Sequence, residues 1–158
     1  MITLKPGDVL LYRVTPNSPW HDKLIAWGEK LMGKKFTKNS YCHVAMVDYD
    51  TDLILEAVWP KTHVVRFPGK SKNPVEVYRV KDATPEQISK AIDWAHKNLG
   101  LWYNVGLLFF GLFPSKHKVV CSTYVDHAWD SAGLSLGDGK LFSPDEVAAS
   151  PMLERVLE

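Results

Sequence analysis

The sequence predicts an α+β protein, an antiparallel sheet packed against helices, and three features of the chain predict it. Short β-like runs cluster in the first half of the sequence. Two of those runs flank Asp50-Thr51-Asp52, turn chemistry that folds neighbouring strands back on one another. Helical periodicities with capping boxes then gather in the second half, and strands followed by helices mark the α+β class.

The elements follow in order. Lys5-Pro-Gly-Asp8 is a turn, and Val9–Val14 reads as a first strand because it is rich in apolar and aromatic residues. Ser18-Pro19 is a cap with proline at the first helical position; Trp20, Leu24, Trp27 and Leu31 recur at helical spacing and Gly33 closes the helix. Lys34–Ser40 is a polar, basic loop. His43–Tyr49 and Leu53–Trp59 form the hairpin, and Val64–Phe67 and Val75–Val80 are shorter strands.

Thr84-Pro85-Glu86-Gln87 is a capping box; Ile88, Ala91, Ile92, Ala95 and Leu99 share one face behind it, and Gly100 ends the helix. Trp102–Pro114 reads either as an apolar helix or as a buried irregular segment. Cys121–Ala132 carries Val125, Ala128, Trp129 and Ala132 at helical spacing, with Gly133 as the stop. Ser143-Pro144-Asp145-Glu146 opens a short last helix.

The 158 residues show no repeat, low-complexity tract or linker, so a single domain spanning 1–158 is expected. Hydrophobic residues at 46% and charged residues at 23% exclude a disordered chain. Lys plus Arg (19) and Asp plus Glu (18) leave a net charge of +1, which removes the electrostatic basis for a nucleic-acid partner. The longest apolar run, Val105–Phe113, falls far short of the roughly 20 residues of a membrane-spanning helix. The first residues, Met1–Asp8, lack the basic-then-apolar pattern of an export signal, so the expectation is a chain that is cytoplasmic as synthesised.

Cys42 and Cys121 have no CxxC spacing, and the set Cys42, His43, His63 and Cys121 fits no zinc motif, so no metal is expected. Cys121 instead opens a helix, where the positive end of the helix dipole favours a thiolate; a structural buried cysteine is the alternative. A thiol nucleophile needs a base, and the base needs an orienting group. His43 opens a run that otherwise asks for β-branched residues. Glu56 interrupts Leu53-Ile-Leu-Glu-Ala-Val, which otherwise asks to be buried, and hairpin pairing sets it within a residue or two of His43. A satisfied strand-end histidine and a solvent-facing edge glutamate are the alternatives. Strand alternation sends Cys42 to the face opposite His43, which argues against a Cys42–Cys121 disulfide. Of the other histidines, His127 lies on a different helix face from Cys121, His21 and His96 sit among polar helix positions and are expected in solvent, and His117 is close enough in sequence to stay open.

At these residues the chain resembles a family. Lys5-Pro-Gly-Asp-Val-Leu-Leu-Tyr12, Tyr41-Cys-His-Val-Ala-Met-Val47, Ile54-Leu-Glu-Ala-Val58, Val120-Cys-Ser-Thr-Tyr-Val125 and Phe142-Ser-Pro-Asp-Glu-Val147 resemble the circularly permuted NlpC-type papain-like hydrolases, the YiiX/YaeF-like group. The resemblance implies a papain-like fold with the site residues in the order His, acidic or polar residue, Cys. Residue by residue it implies Cys121 as nucleophile, His43 as base, Glu56 as the residue that orients it, and Tyr103 beside the oxyanion. Ser122-Thr123 departs from the Ser-Glu or Ser-Gly that commonly follows the cysteine, which bears on nearby substrate contacts.

The implied chemistry is amide hydrolysis through a thioester, with no metal or organic cofactor. The implied substrate is a cell-wall (peptidoglycan) peptide, cleaved by a phage or bacterial lysin after release or delivery. Trp59 and Trp102 flank the site in sequence and are candidate substrate contacts, whereas Trp20, Trp27 and Trp129 fall on helix core faces. The basic loop Gly33–Lys38 is a solvated face or an attractor of an anionic wall polymer. Two other readings stand beside this one. A lipid or acyl-thioester hydrolase or acyltransferase of the lecithin retinol acyltransferase type would hold its chain along Leu101–Phe113, and an inactive binding module would keep the groove without turnover.

Overall fold

The computed structural model describes residues 3–15, 40–67, 73–104, 118–137 and 143–156. The helix expected around Trp20–Leu31, the basic loop and most of the Leu101–Phe113 run lie outside them, as do His21, His117, Trp20 and Trp27.

Six strands form one antiparallel sheet. They are β1 (Val9–Arg13), β2 (Tyr41–Val47), β3 (Leu53–Ala57), β4 (Thr62–Arg66), β5 (Val75–Val80) and, near the end of the chain, β8 (Leu153–Arg155), in the order β4-β3-β2-β1-β5-β8. Helices α1 (Pro85–Lys97), α2 (Cys121–Ser131) and α3 (Pro144–Ala148) follow the first five strands, and β6 (Trp102–Tyr103) pairs in parallel with β7 (Lys118–Val119). The α+β class with an antiparallel sheet is therefore the architecture found. Strands β6 to β8 are too short to carry a period-2 pattern, which is why the sequence did not mark them.

The central strands are buried on both faces. Val9 and Leu11 of β1, Val44 and Met46 of β2, and Leu55 of β3 meet the helices, packing with Ala91, Ile92, Tyr124, Val125 and Trp129. Leu10, Ala45, Val47, Ile54 and Val77 form the second core cluster. Full removal of each such aliphatic side chain from water is worth about 1.5–3 kcal/mol, so β1 to β3 form a rigid base for whatever they carry.

Helix ends match their capping signals. The Gln87 N–H donates to Thr84 Oγ1 (3.3 Å) and the Thr84 N–H to Gln87 Oε1 (2.9 Å), closing the box at α1. Ser143 and Glu146 do the same at α3. Leu99 is a correction: α1 stops at Lys97, Asn98 caps it, and Leu99 is left among the exposed apolar residues rather than on the buried face. The run expected to reach Trp59 likewise ends at Ala57, and β4 begins at Thr62.

Gly7 shows why the β1 turn needs glycine. Its φ is +83°, and an added Cβ would lie 3.1 Å from Trp129 Cζ2 and 3.2 Å from Ile88 Cγ2. That turn is thus packed directly on α1 and α2.

Candidate active site

Cys121 is the first residue of α2 and is buried. The preceding residue, Val120, is extended (φ −106°, ψ 169°) and has no side-chain acceptor with which to cap the helix. The first intrahelical bond runs from the Tyr124 N–H to the Val120 carbonyl (2.9 Å). The N–H groups of Cys121, Ser122 and Thr123 consequently have no intrahelical acceptor, and they give the sulfur end of α2 a partial positive charge. The Val120 N–H itself donates to Thr123 Oγ1 at 3.0 Å, which fixes the approach of the chain to the helix.

His43 projects from the start of β2. Asp145 of α3 holds that end of the strand by accepting the Tyr41 N–H at 2.8 Å. In the register, Tyr12 pairs with His43 and Arg13 with Tyr41, so Cys42 is the extra residue of a β-bulge. This corrects the alternation argument, because strict alternation does not run through a bulge. Cys42 lies in the second core cluster with Tyr12, whose ring in turn lies 5.3 Å from the His43 ring. Cys42 and Cys121 lie in different core clusters and form no disulfide with one another.

Glu56 of β3 pairs with Ala45, two residues along from His43, so its carboxylate reaches diagonally past a small side chain. Glu56 Oε2 lies 2.7 Å from His43 Nε2, and both side chains are 13% exposed. The Cys121 thiol lies close enough to the same imidazole to bear on its protonation. The structure therefore gathers Cys121, His43 and Glu56 from a helix and two strands. A fourth group joins them: His63 of β4 is directly opposite Glu56 in the sheet, and its Nε2 lies 3.1 Å from Glu56 Oε1.

The electrostatics follow from this packing. Burial opposes a charged His43, but its neighbours Cys121 and Glu56 outweigh that penalty and push the imidazole up to about 10. Burial alone would raise Glu56; the hydrogen bond to His43 dominates, with help from His63, and holds the carboxyl below its usual range. At neutral pH His43 is therefore an imidazolium between a carboxylate and a sulfur. Tyr12 closes the other side, its phenol pushed above its ordinary value by burial and then by the Glu56 charge.

Trp59 and Trp102 are both exposed. Trp59 sits in the connection between the strands carrying Glu56 and His63, and Trp102 forms a bridge with Lys61, whose ammonium lies 4.3 Å over the indole. Tyr103 is half-buried; its N–H donates to the Pro60 carbonyl (2.9 Å), and its pairing with Val119 brings it close to Cys121 in the fold.

His127 is exposed on α2 against Trp94, away from the imidazole that touches Cys121. His96 is exposed, as expected, and it also lies 2.8 Å from Oδ1 of the buried Asp48, which ties α1 to the end of β2. Among the described residues no cluster of three or more His, Cys, Asp or Glu side chains is arranged to hold a metal. No helix among them is long and apolar enough to cross a membrane.

Sequence reasoning passed over His63 and Tyr12 as site residues. His63 is half-exposed on an edge strand, where any polar residue fits, and its position opposite Glu56 is the one signal that could have marked it. Tyr12 reads as ordinary core. Its direct cross-strand pairing with His43, a matter of register that a single sequence does not reveal, brings the two rings together.

A thiol at the amino end of a helix, touching an imidazole that a strand carboxylate orients, defines the class of papain-like thiol hydrolases. Comparison with known families agrees: the model of the permuted papain-like amidases, the YaeF/YiiX family, matches residues 3–156. The chain belongs to that family, and its broad class is that of a papain-like amidase acting on a peptide substrate. No curated protein and no solved structure gives a match.

Proposed function

We propose that the chain is a cysteine amidase or endopeptidase in which Cys121, His43 and Glu56 act as one unit on cell-wall peptides. The observation that carries this reading is the His43 imidazole held between Cys121 and Glu56. In the proposed cycle, the Cys121 thiolate attacks the carbonyl carbon and the oxygen takes the electron pair. Backbone N–H groups at the start of α2 stabilise that oxyanion. The tetrahedral adduct collapses to a thioester as His43 gives its proton to the departing amine. Neutral His43 then takes a proton from water, hydroxide replaces the sulfur at the acyl carbon, and the product leaves as a carboxylic acid. Throughout, Glu56 fixes the ring orientation and stabilises the imidazolium.

Trp59 and Trp102 form the exposed aromatic ledge against which the substrate would lie, and Tyr103 lines the wall nearer the nucleophile. The ledge suits a polymer sliding past the site better than a small buried substrate. The wall-peptide substrate and a lysin role draw their support from the amidase family and from this open edge.

The test is digestion of purified peptidoglycan beside a phospholipid and acyl-thioester panel. New free amines from the wall, absent with Cys121→Ala, are the expected result. Release of fatty acid without free amines would transfer the protein to the acyl-lipid reading, and binding without turnover would leave a binding module.

A further inference from the structure

His63 stands outside the catalytic unit, yet it is tied to it through one atom. The Glu56 carboxylate has two oxygens and two imidazoles: Oε2 serves His43 at 2.7 Å and Oε1 serves His63 at 3.1 Å. Among the described residues these are its only hydrogen-bond partners. A carboxylate held at one oxygen can rotate about its terminal torsion, which is broad and soft. Held at both, it has one orientation. Glu56 is largely buried while His63 is 40% exposed, so the second imidazole reaches from the surface to brace a group beneath it. The sheet makes the brace inevitable once the residues are chosen, because Glu56 and His63 are directly cross-strand.

We propose that His63 is a positioning residue of this site: its Nε2–H fixes the plane of the Glu56 carboxylate so that Oε2 stays aligned on His43, and the orientation of the His43 ring toward Cys121 depends on it. The competing account is that His63 merely keeps an edge strand polar, a common protection against unwanted strand pairing. The two accounts differ in what a substitution that keeps an N–H donor should do. The proposal rests on the catalytic reading above, so the experiment carries one readout that needs no turnover.

Cys121 is labelled with iodoacetamide at neutral pH in the wild type, His43→Ala, His63→Ala and His63→Gln, with modification read at that residue by peptide mass. In parallel, the downfield proton resonance of the His43 Nε2–H is recorded by NMR, and melting is followed for every variant. His63→Ala should slow labelling about tenfold and shift the resonance, because small misplacements of a catalytic group have large kinetic effects. His63→Gln, whose amide N–H still reaches Oε1, should restore both. Wild-type labelling and an unmoved resonance in His63→Ala would overturn the proposal. So would equal defects in the Ala and Gln variants that track an equal loss of melting temperature. Slow wild-type labelling, indifferent to His43→Ala, would instead sink the catalytic reading, and the resonance comparison would still decide the role of His63.

Discussion

Among the described residues, Asp48 and Glu56 are two largely buried carboxylates that each meet an imidazole, and they sit in different surroundings. Asp48 receives His96 at 2.8 Å, with the Tyr49 ring stacked on that imidazole at 6.5 Å between centroids and tilted by 7°. Glu56 receives His43 at 2.7 Å. The bonds are alike in length and chemistry. What differs is the surroundings of the histidine: His96 is 39% exposed and His43 only 13%. His96 ties α1 to the sheet and touches no nucleophile, whereas the far side of His43 meets a thiol at a helix start. The pair alone is thus a clamp; a third group and exclusion from water make it a site.

The largest effects should separate the two pairs most sharply. Cys121→Ala should lower amidase turnover by roughly 10³-fold or more, and His43→Ala should do nearly the same, since groups acting as a unit fail together. His96→Ala should leave turnover within about twofold of wild type while leaving Asp48 with the Tyr49 N–H but no imidazole, a loss of about 1 kcal/mol after allowance for the imidazole's exposure. For a chain of this size that is a drop of about 2–4 °C in melting temperature. Steady-state rates and thermal melts of the three variants check this contrast, and a comparable activity loss in His96→Ala would erase it.

Glu56→Gln should come next, with kcat reduced about 10²-fold and KM little changed, because the amide keeps the shape but not the charge that supports the imidazolium. The effect on pH dependence is subtler. The folded value of His43 is raised to about 10, above its ordinary 6.5. Its contribution to stability is therefore fully present below about 6.5 and fades as pH rises toward 10. Turnover should hold through neutral pH and fall as pH approaches 10, where the proton needed by the leaving amine is lost. A pH–rate profile with its alkaline limb near 7 would contradict the ion pair. The smallest effect should be that of Ser143→Ala, about 1 kcal/mol through the lost cap of α3, with a modest rate loss because α3 holds the start of β2 through Asp145.

Much of this was legible before any coordinates. Thr84 and Ser143 announced their helices because capping chemistry is local, and the hairpin followed from Asp50-Thr51-Asp52. Cys121, His43 and Glu56 stood out because each occupies a position where an apolar residue would fold equally well. What escaped depended on long-range register. The bulge at Cys42, the diagonal from Ala45 to Glu56 and the placement of His63 are decided by how strands slide past one another, and no short window of sequence records that. His96 was read as exposed, which it is, but its bond to Asp48 escaped for the same reason, that partner being on another element.

Cys121 and His43 are remote in the chain and meet only when α2 docks across the sheet. A polypeptide still emerging from the ribosome, or one that has lost its core, carries both side chains but has no imidazole within reach of the sulfur. On the proposed reading, a working nucleophile exists only on copies whose helix has docked on the sheet, and partly folded copies would lack one.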